Sequence, residues 1–283
     1  MTSSLLSLPK IHEDKSMIGL NTEFNTSLLQ QVQNKQESIL EKLSSGKRIN
    51  SAADGAAAQQ IIDRLTTQVE GNRQSISNAF DGVSLTQVAE GGLAGINQDV
   101  NRIRELSVQS GNGLLSDSDR KAIQSEVTQL QENISQTIEQ TEFAGKSLLS
   151  SDGNIDFQVR ANGGQKIGVA TQNVAAGLND ILNVDLSTAQ GAEDAIAIAD
   201  NATEFVGSAR ADLGATQNQF ESAARNLTQT DINVSAARSR IQDTDFAQAA
   251  SENVAAGILS QTSLAVQGMA NQQQGQVLSL LNS

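Results

Sequence analysis

The amino-acid sequence predicts a mainly α-helical protein, an elongated rod of long helices in coiled-coil or bundle packing, with a β-hairpin and paired N- and C-terminal helices. Three observations lead to this fold class. Apolar residues recur at alternating steps of three and four from Ala199 to Ile241, the pattern of a helix packed lengthwise on others. A single Pro in 283 residues leaves long helices uninterrupted. Aromatic residues make up only 2% of the chain, too little bulk for a compact α/β enzyme core of this length.

Composition and charge argue against several classes of function. The chain has no Cys and a single His, His12, so zinc–thiolate sites, cysteine nucleophiles and His-rich metal sites are not expected. The formal net charge of −13 argues against nucleic acid as a partner, because binding it requires clustered Lys and Arg. No stretch approaches the roughly 20 apolar residues of a membrane span. We therefore expect no cofactor, no metal, no nucleic-acid partner and no membrane partner.

The first two predicted helices follow each other in the N-terminal third of the chain. The first is rich in Gln and Asn, and its narrow apolar stripe consists of Phe24, Leu28, Val32, Ile39 and Leu43. The second is longer, with apolar positions that run from Ile62 to Leu106. Its phase is irregular around Glu90–Gly92, where we expect a local softening because Gly is a poor helix former.

A third helix is predicted to fold back on the second. Asn112-Gly113 is a turn signal, and Ser116 followed by Asp117 and Asp119 is typical of an N-cap with acidic residues at the positive end of the helix dipole. One face of this helix carries Ile123, Val127, Leu130, Ile134 and Ile138. Long apolar faces of this kind can cover one another in a bundle.

The middle of the chain predicts a β-hairpin near residues 154–170. Ile155, Phe157 and Val159 alternate with polar residues, which is the period of a half-buried strand. Asn162-Gly163-Gly164 indicates a turn, and a second strand resumes at Lys166. The segment 171–190 is predicted to be irregular and polar.

The two C-terminal helices complete the prediction. A helix from about Gly191 to Ile241 would be on the order of 75 Å long, which exceeds the thickness of a globular core and indicates a rod. The last helix begins near Asp243-Thr244-Asp245, and its looser apolar stripe consists of Val254, Ile258, Leu259, Val266, Met269, Val277, Leu278, Leu280 and Leu281. Neither terminal stripe can be buried alone. Our hypothesis is that the ends order against each other and against neighbouring copies on assembly.

Motifs that would indicate chemistry are weak. Gly145-Lys146-Ser147 resembles the end of a phosphate-binding loop, but Gln140 occupies the position where that motif requires Gly, so a helix-terminal Gly and a loop are the better interpretation. No grouping of residues supports catalysis. In the segment from Arg102 to Leu106, the Arg and Glu side chains flank the apolar seam of the helix, and they fit a solvated helix face and a contact surface for a partner equally well.

Several blocks of sequence resemble bacterial flagellins. The segment from Leu43 to Ala58, which contains Ser-Ser-Gly-Lys-Arg-Ile-Asn, resembles the N-terminal signature of that family. Four later blocks resemble family segments in the same order, and they are 101–108, 116–119, 235–243 and 277–281. The resemblance covers most of the chain from about Leu20 to Asn282.

The flagellin resemblance implies a division into domains. Residues 17–54 and 242–283 would pair as an inner tube domain, and residues 55–241 would form a rod domain with its hairpin. Many family members insert an outer domain before the last long helix, but only 171–190 occupies that place here, so the outer domains are expected to be absent. Residues 1–16 would be an extra leader, and Met17 resembles the expected start.

The resemblance also implies partners and a location. The chain would polymerise with itself into an extracellular flagellar filament after export without a cleavable signal peptide. An export chaperone would cover the C-terminal helix, and filament cap and hook–filament junction proteins would contact the polymer. The positions that match the contacts of Toll-like receptor 5 are Arg102, Leu106 and Glu126. The predicted assembly contacts are Leu28, Val32, Ile39, Leu43, Val254, Ile258, Leu278 and Leu281.

The predicted function is therefore that of a structural subunit of the bacterial flagellar filament, and not that of an enzyme. One alternative is a hook–filament junction protein, which shares the architecture but occupies a short zone. Another, from a different class, is a secreted helical adhesin or receptor ligand. The adhesin reading leaves the apolar stripes at both extreme ends unexplained.

Overall fold

A computed structural model describes the backbone of residues 12–160 and 164–281, and side chains within 26–160, within 164–273 and at Gln276. In chain order the described elements are α1 (His12–Ser45), α2 (Ala52–Ser110), α3 (Asp117–Gln140), β1 (Glu142–Phe143), β2 (Lys146–Ser147), β3 (Gly153–Gln158), β4 (Lys166–Thr171), α4 (Val174–Gly177), α5 (Asn179–Leu182), α6 (Ala189–Gln242) and α7 (Phe246–Leu281). The predicted fold class, long packed helices with a β-hairpin, is confirmed, and a second pair of very short strands, β1 and β2, is also present. Residues 1–11, the first part of the predicted leader, lie outside the described part.

The chain divides into two compact units. The terminal unit contains the described residues up to Leu65 together with those from Ala236 onward, and the central unit is Thr66–Ser235. The central unit is shorter at both ends than the predicted rod segment 55–241. The helices α2 and α6 each contribute residues to both units.

In the terminal unit, α1 and α7 pack against each other. The segments that leave α1 and enter α7 also pair. Lys47 forms an antiparallel bridge with Asp243, the N–H of Thr244 donates to the carbonyl of Gly46 at 3.0 Å, and the N–H of Arg48 donates to Gln242. Gly46 has a φ of 68°, which a side chain would strain, so Gly at this position allows the chain to turn out of α1.

The central unit is built around α2, α3 and α6. Its core contains fully buried residues from all three helices, and they include Leu85, Leu93, Ile96, Ile103, Ile134, Val206 and Phe220. The buried side chains of α6 are mostly small, which allows the helices to approach closely, and six of them are Ala192, Ala195, Ala199, Ala202, Ala209 and Ala224. The heptad seam predicted for α6 is buried or partly buried from Ala199 to Leu227, whereas Thr230, farther along the same seam, is exposed.

The predicted hairpin is present as an antiparallel pair of β3 and β4, with Ile155 opposite Val169 and Phe157 opposite Ile167. The ring of Phe157 packs edge-on against the ring of Phe220 in α6, with centroids 5.4 Å apart. The hairpin therefore covers one side of the helical core.

Three local expectations were wrong. The helix α2 is not softened at Gly91 and Gly92 but continues through them, and its non-helical residue is Gly55. Gly is required at position 92 because a Cβ there would lie 2.6 Å from the hydroxyl of Thr141. Gly145, with a φ of 75°, does not end a helix but forms the tight turn between β1 and β2.

The third wrong expectation concerns the segment 171–190, which is not simply irregular and polar. It contains the short helices α4 and α5, and Val174, Leu178, Ile181 and Leu186 are buried against the rest of the central unit. Their spacing of three to five residues was a detectable signal of packing.

Candidate assembly surfaces

The seam between α1 and α7 uses large residues on one helix and small residues on the other. Val32 and Ile39 of α1 are each only 5% exposed, and Leu28 and Leu43 are half-buried. The helix α7 presents mainly small side chains to the seam, and two of them, Ala249 and Ala256, are buried. The N-terminal stripe is thus largely covered within one copy of the chain.

The opposite side of α7 is apolar and exposed. Val254 is 62% exposed and Ile258 is 61% exposed, and the same exposed set includes Leu259, Leu264, Val266 and Met269. At about 100° per residue, Val254, Ile258 and Met269 lie on the side of α7 that faces away from Ala249 and Ala256. Leu259 and Val266 lie beside them at the edge of this side, and we call Val254, Ile258, Leu259, Val266 and Met269 the outer α7 face.

An apolar face of this kind is costly to leave in water. Monomeric soluble proteins scatter single apolar side chains over the surface, whereas a contiguous set on one helix face marks a contact site. The predicted assembly residues Val254 and Ile258 belong to this face. The side chains of Leu278 and Leu281, also predicted as assembly contacts, lie outside the described residues.

A second candidate surface lies on the central unit, where α2 faces α3. The guanidinium of Arg102 donates from Nη2 and Nε to Glu126 Oε1 at 2.7 and 2.9 Å, and from Nη1 to Glu105 at 3.0 Å. These side chains are roughly half exposed or more. The hydrogen bonds from Arg102 to Glu126, and then to Glu105, raise the pKa of Arg102. Two of the three residues predicted as receptor contacts, Arg102 and Glu126, are thus joined on one surface.

Leu106 does not share that surface. Its side chain is 1% exposed and belongs to the core of the central unit. In this conformation Leu106 supports the helix that carries Arg102 and offers a partner no area to touch.

The turn between α2 and α3 contains a buried cation, Arg120, that no sequence pattern indicated. Arg120 is 6% exposed, and its guanidinium donates to the carbonyl oxygens of Ser110, Asn112 and Leu115. These acceptors include the end of α2, where the helix dipole is negative. Arg120 thereby closes the end of α2 and fixes the start of α3.

The predicted N-cap of α3 is a complete capping box. The N–H of Asp119 donates to the hydroxyl of Ser116, and the N–H of Ser116 donates to the carboxylate of Asp119 at 3.0 Å. The hydroxyl of Ser116 also donates to Asp119 Oδ2 at 2.7 Å, and this bond, followed by the one from the Ser116 N–H, lowers the pKa of Asp119.

The described residues present little that resembles a catalytic site. No group of three or more Asp, Glu or His residues among them is placed to hold a metal ion. A cavity of about 60 Å³ beneath the hairpin, lined by Leu85, Leu149 and Leu213 among others, is mostly apolar and small. In the same part of the chain, no helix combines the length and apolar character needed to cross a bilayer.

Comparison with known proteins assigns the family. Residues 20–154 match the bacterial flagellin N-terminal helical region, and residues 196–281 match the bacterial flagellin C-terminal helical region. The chain belongs to the flagellin family. The two matched regions are separated by residues 155–195, which contain most of the hairpin, α4 and α5, and the start of α6. Nothing in the described part of that interval forms an outer domain, so this is a short flagellin.

Curated relatives match over most of their length. A flagellin of Halalkalibacterium halodurans is 38% identical over 88% of this chain and 92% of its own. A flagellin of Bacillus subtilis is 36% identical over 86% of this chain and 91% of its own. A flagellar filament 30.7 kDa core protein of Treponema maltophilum is 36% identical over 94% and 95%.

Solved structures share the fold. A crystal structure of Bacillus cereus flagellin matches 57% of this chain and 94% of its own, with a TM-score of 0.50 and 24% identity. A flagellar hook-associated protein from Vibrio parahaemolyticus matches 67% of this chain and all of its own, with a TM-score of 0.58 and 13% identity. The fold is thus common to filament and hook-associated proteins, and the higher sequence identity to curated flagellins favours the filament.

Proposed function

We infer that this flagellin is a structural subunit of the flagellar filament outside the cell, where it serves motility and carries out no catalysis. The observation that carries this conclusion is the 36–38% identity to curated flagellins and to a filament core protein over most of each chain. The outer α7 face supports it, because copies of one chain associate by burying apolar surface. No described observation favours a junction protein or an adhesin.

The outer α7 face is the proposed contact with neighbouring copies. Fully burying one Val, Leu or Ile side chain stabilises a complex by about 1.5–3 kcal/mol. A face with several such residues therefore provides a strong driving force for polymerisation. Leu28, Val32, Ile39 and Leu43 hold α1 against α7, and Leu278 and Leu281 would extend the contact toward the end of the chain. In this proposal the terminal helices gain their full order on assembly.

Substitution of two outer-face residues tests this proposal. In the variant Val254→Gln/Ile258→Gln, the face loses apolar area that is already exposed in the single chain, so the fold should be kept while the contact between copies is weakened. We expect normal helical content by circular dichroism. We also expect few or no filaments by electron microscopy after seeding with short filament fragments.

The matched control is Val254→Ile/Ile258→Leu, which keeps both positions apolar and should polymerise like the unsubstituted chain. Filaments of normal length from the Gln variant would overturn the role of this face. Loss of filaments in both variants would indicate a defect unrelated to apolar contact.

The proposal extends to proteins that handle the subunit before and during assembly. Before polymerisation, the exposed outer α7 face would promote premature association of copies in the cell. An export chaperone that covers the C-terminal helix would prevent this. Filament cap and hook–filament junction proteins would contact the two ends of the polymer. Export would occur without a cleavable signal peptide. Each of these partners follows from the family resemblance.

We also propose that Toll-like receptor 5 recognises the surface formed by Arg102 and Glu126. The guanidinium of Arg102 already pairs with Glu126, so both side chains are held in one geometry that a receptor could contact with little loss of side-chain entropy. We expect Arg102→Ala to weaken activation of receptor-expressing cells by the soluble chain. Arg104→Ala is the control, because Arg104 is also exposed and pairs with Asp200 instead. Equal activation by both variants would refute this proposal.

A further inference from the structure

The turn between α2 and α3 carries a reactive pair of residues that the proposed function does not use. Asn112 and Gly113 are both exposed, and a Cβ added to Gly113 would meet no atom within 4 Å. An Asn side chain that precedes Gly is open to attack by the next main-chain nitrogen, because no Cβ obstructs the approach. We propose that Asn112 is a site of spontaneous deamidation in the folded chain.

The hydrogen bonds of the turn favour this reaction. The N–H of Leu114 donates to Asn112 Oδ1 at 3.0 Å. This bond polarises the side-chain amide and stabilises the negative charge that develops on Oδ1 during attack at Cγ. In the described part of the chain, the N–H of Gly113 makes no hydrogen bond, so its proton is open to solvent base.

The reaction proceeds in two balanced steps, with water as the co-reactant. The nitrogen of Gly113 loses its proton to solvent base and forms a bond to Cγ of Asn112, while the bond from Cγ to Nδ2 breaks and Nδ2 takes up a proton from solvent and leaves as ammonia. Water then opens the resulting succinimide at either carbonyl. Cleavage of the new nitrogen–Cγ bond gives Asp, and cleavage of the original peptide bond gives isoaspartate.

Asn50 provides a comparison within the same chain. It is also exposed and is followed by the small residue Ser51. The N–H of Ser51, however, donates to the carboxylate of Asp54 at 2.9 Å, which holds the proton and places a negative charge beside the nitrogen. The hydrogen bond from Ser51, and that from Asn50, lower the pKa of Asp54, so this carboxylate stays charged. Asn50 should therefore keep its amide.

Deamidation at Asn112 would alter the turn through Arg120. The guanidinium of Arg120 donates to the main-chain carbonyl of Asn112 at 3.2 Å. The Asp product keeps this carbonyl in place and adds a negative charge close to a buried cation. The isoaspartate product inserts a carbon into the main chain and moves the carbonyl. The two products should therefore affect the turn differently.

Peptide mapping of the full folded chain tests the proposal. The chain is incubated at mildly alkaline pH, its fold is checked by circular dichroism before and after, and the products at positions 112 and 50 are quantified by mass spectrometry. We expect Asp and isoaspartate to accumulate at 112 and the amide to persist at 50. Gly113→Ala should suppress conversion at 112, whereas Gly207→Ala, at an open position in α6, should not.

Two results would overturn the proposal. One is an Asn112 amide that persists in the folded chain and is lost only in denaturant. The other is equal conversion in the Gly113→Ala variant, because attack by the neighbouring nitrogen would then not be the route. The assay reads a peptide mass and does not require polymerisation, so its outcome is independent of the filament function.

Discussion

The contact between Gly82 and Phe220 shows how single residues set the packing of the central unit. Phe220 is fully buried, and its ring lies against the α2 backbone at Gly82 and edge-on to Phe157 of the hairpin. A Cβ added to Gly82 would lie 2.4 Å from Cζ of Phe220. Only Gly at position 82 allows α2, α6 and the hairpin to meet at this ring.

We predict that Gly82→Ala destabilises the chain, because the ring of Phe220 cannot move without losing its contact with Phe157. The expected cost of such overpacking is about 1–3 kcal/mol. Urea unfolding followed by circular dichroism measures it. Gly207→Ala is the matched control, since a Cβ there meets nothing within 4 Å, and it should leave stability unchanged or raise it slightly. Equal stability of the two variants would contradict this account of the packing.

Contacts between individual side chains were the features that could least be predicted from the sequence. Arg102 and Glu126 could be proposed together only through the family resemblance, because they are 24 positions apart and their hydrogen bonds depend on the packing of α2 on α3. The role of Arg120 could not be predicted, since a buried Arg that binds main-chain carbonyls leaves no periodic signal. The burial of Leu106, by contrast, follows from its place in the apolar pattern of α2.

At the scale of elements, apolar periodicity predicted the helices well. The predicted α6, from about 191 to 241, agrees with the observed Ala189–Gln242, because the seam continues unbroken on one face. The same reasoning missed β1 and β2, whose two-residue strands are too short to show a period. It also predicted that the helix is weakened at Gly91 and Gly92, because Gly has a low helix propensity. The helix nevertheless continues there, since Gly92 packs closely against Thr141.

The capping box of α3 leads to a prediction about pH. The pKa of Asp119 is lower in the folded chain than the unfolded value of about 3.9. Its contribution to stability is therefore present above the unfolded pKa and is lost as the pH falls through the folded pKa. We expect Asp119→Asn to make the urea midpoint less dependent on pH between neutral and acidic conditions.

The control for this prediction is Asp117→Asn, in the same first turn but outside the capping box. It should leave the pH dependence closer to that of the unsubstituted chain. A pH dependence that is reduced equally by both substitutions would indicate a general effect of charge near the helix dipole and not the capping box.

At the scale of the whole molecule, the two units differ in whether their large apolar side chains are buried or exposed. The central unit buries its large apolar side chains against α2, α3, α6 and the hairpin. In the terminal unit, the larger apolar side chains described on α7 stay exposed while small ones form the seam with α1. The sequence showed that the terminal stripes needed partners, but it could not show which residues of α7 face α1, because apolar residues lie nearly all around that helix.

Seeded polymerisation tests the central claim, that the chain is a filament subunit assembled through its terminal helices. Short filament fragments are added to the purified intact chain and, separately, to a chain that ends at Asp245, and both are viewed by electron microscopy. If the terminal helices drive assembly, the intact chain forms long uniform filaments and the truncated chain forms none. An intact chain that stays monomeric or stops after short zones, or a truncated chain that polymerises normally, would contradict this claim.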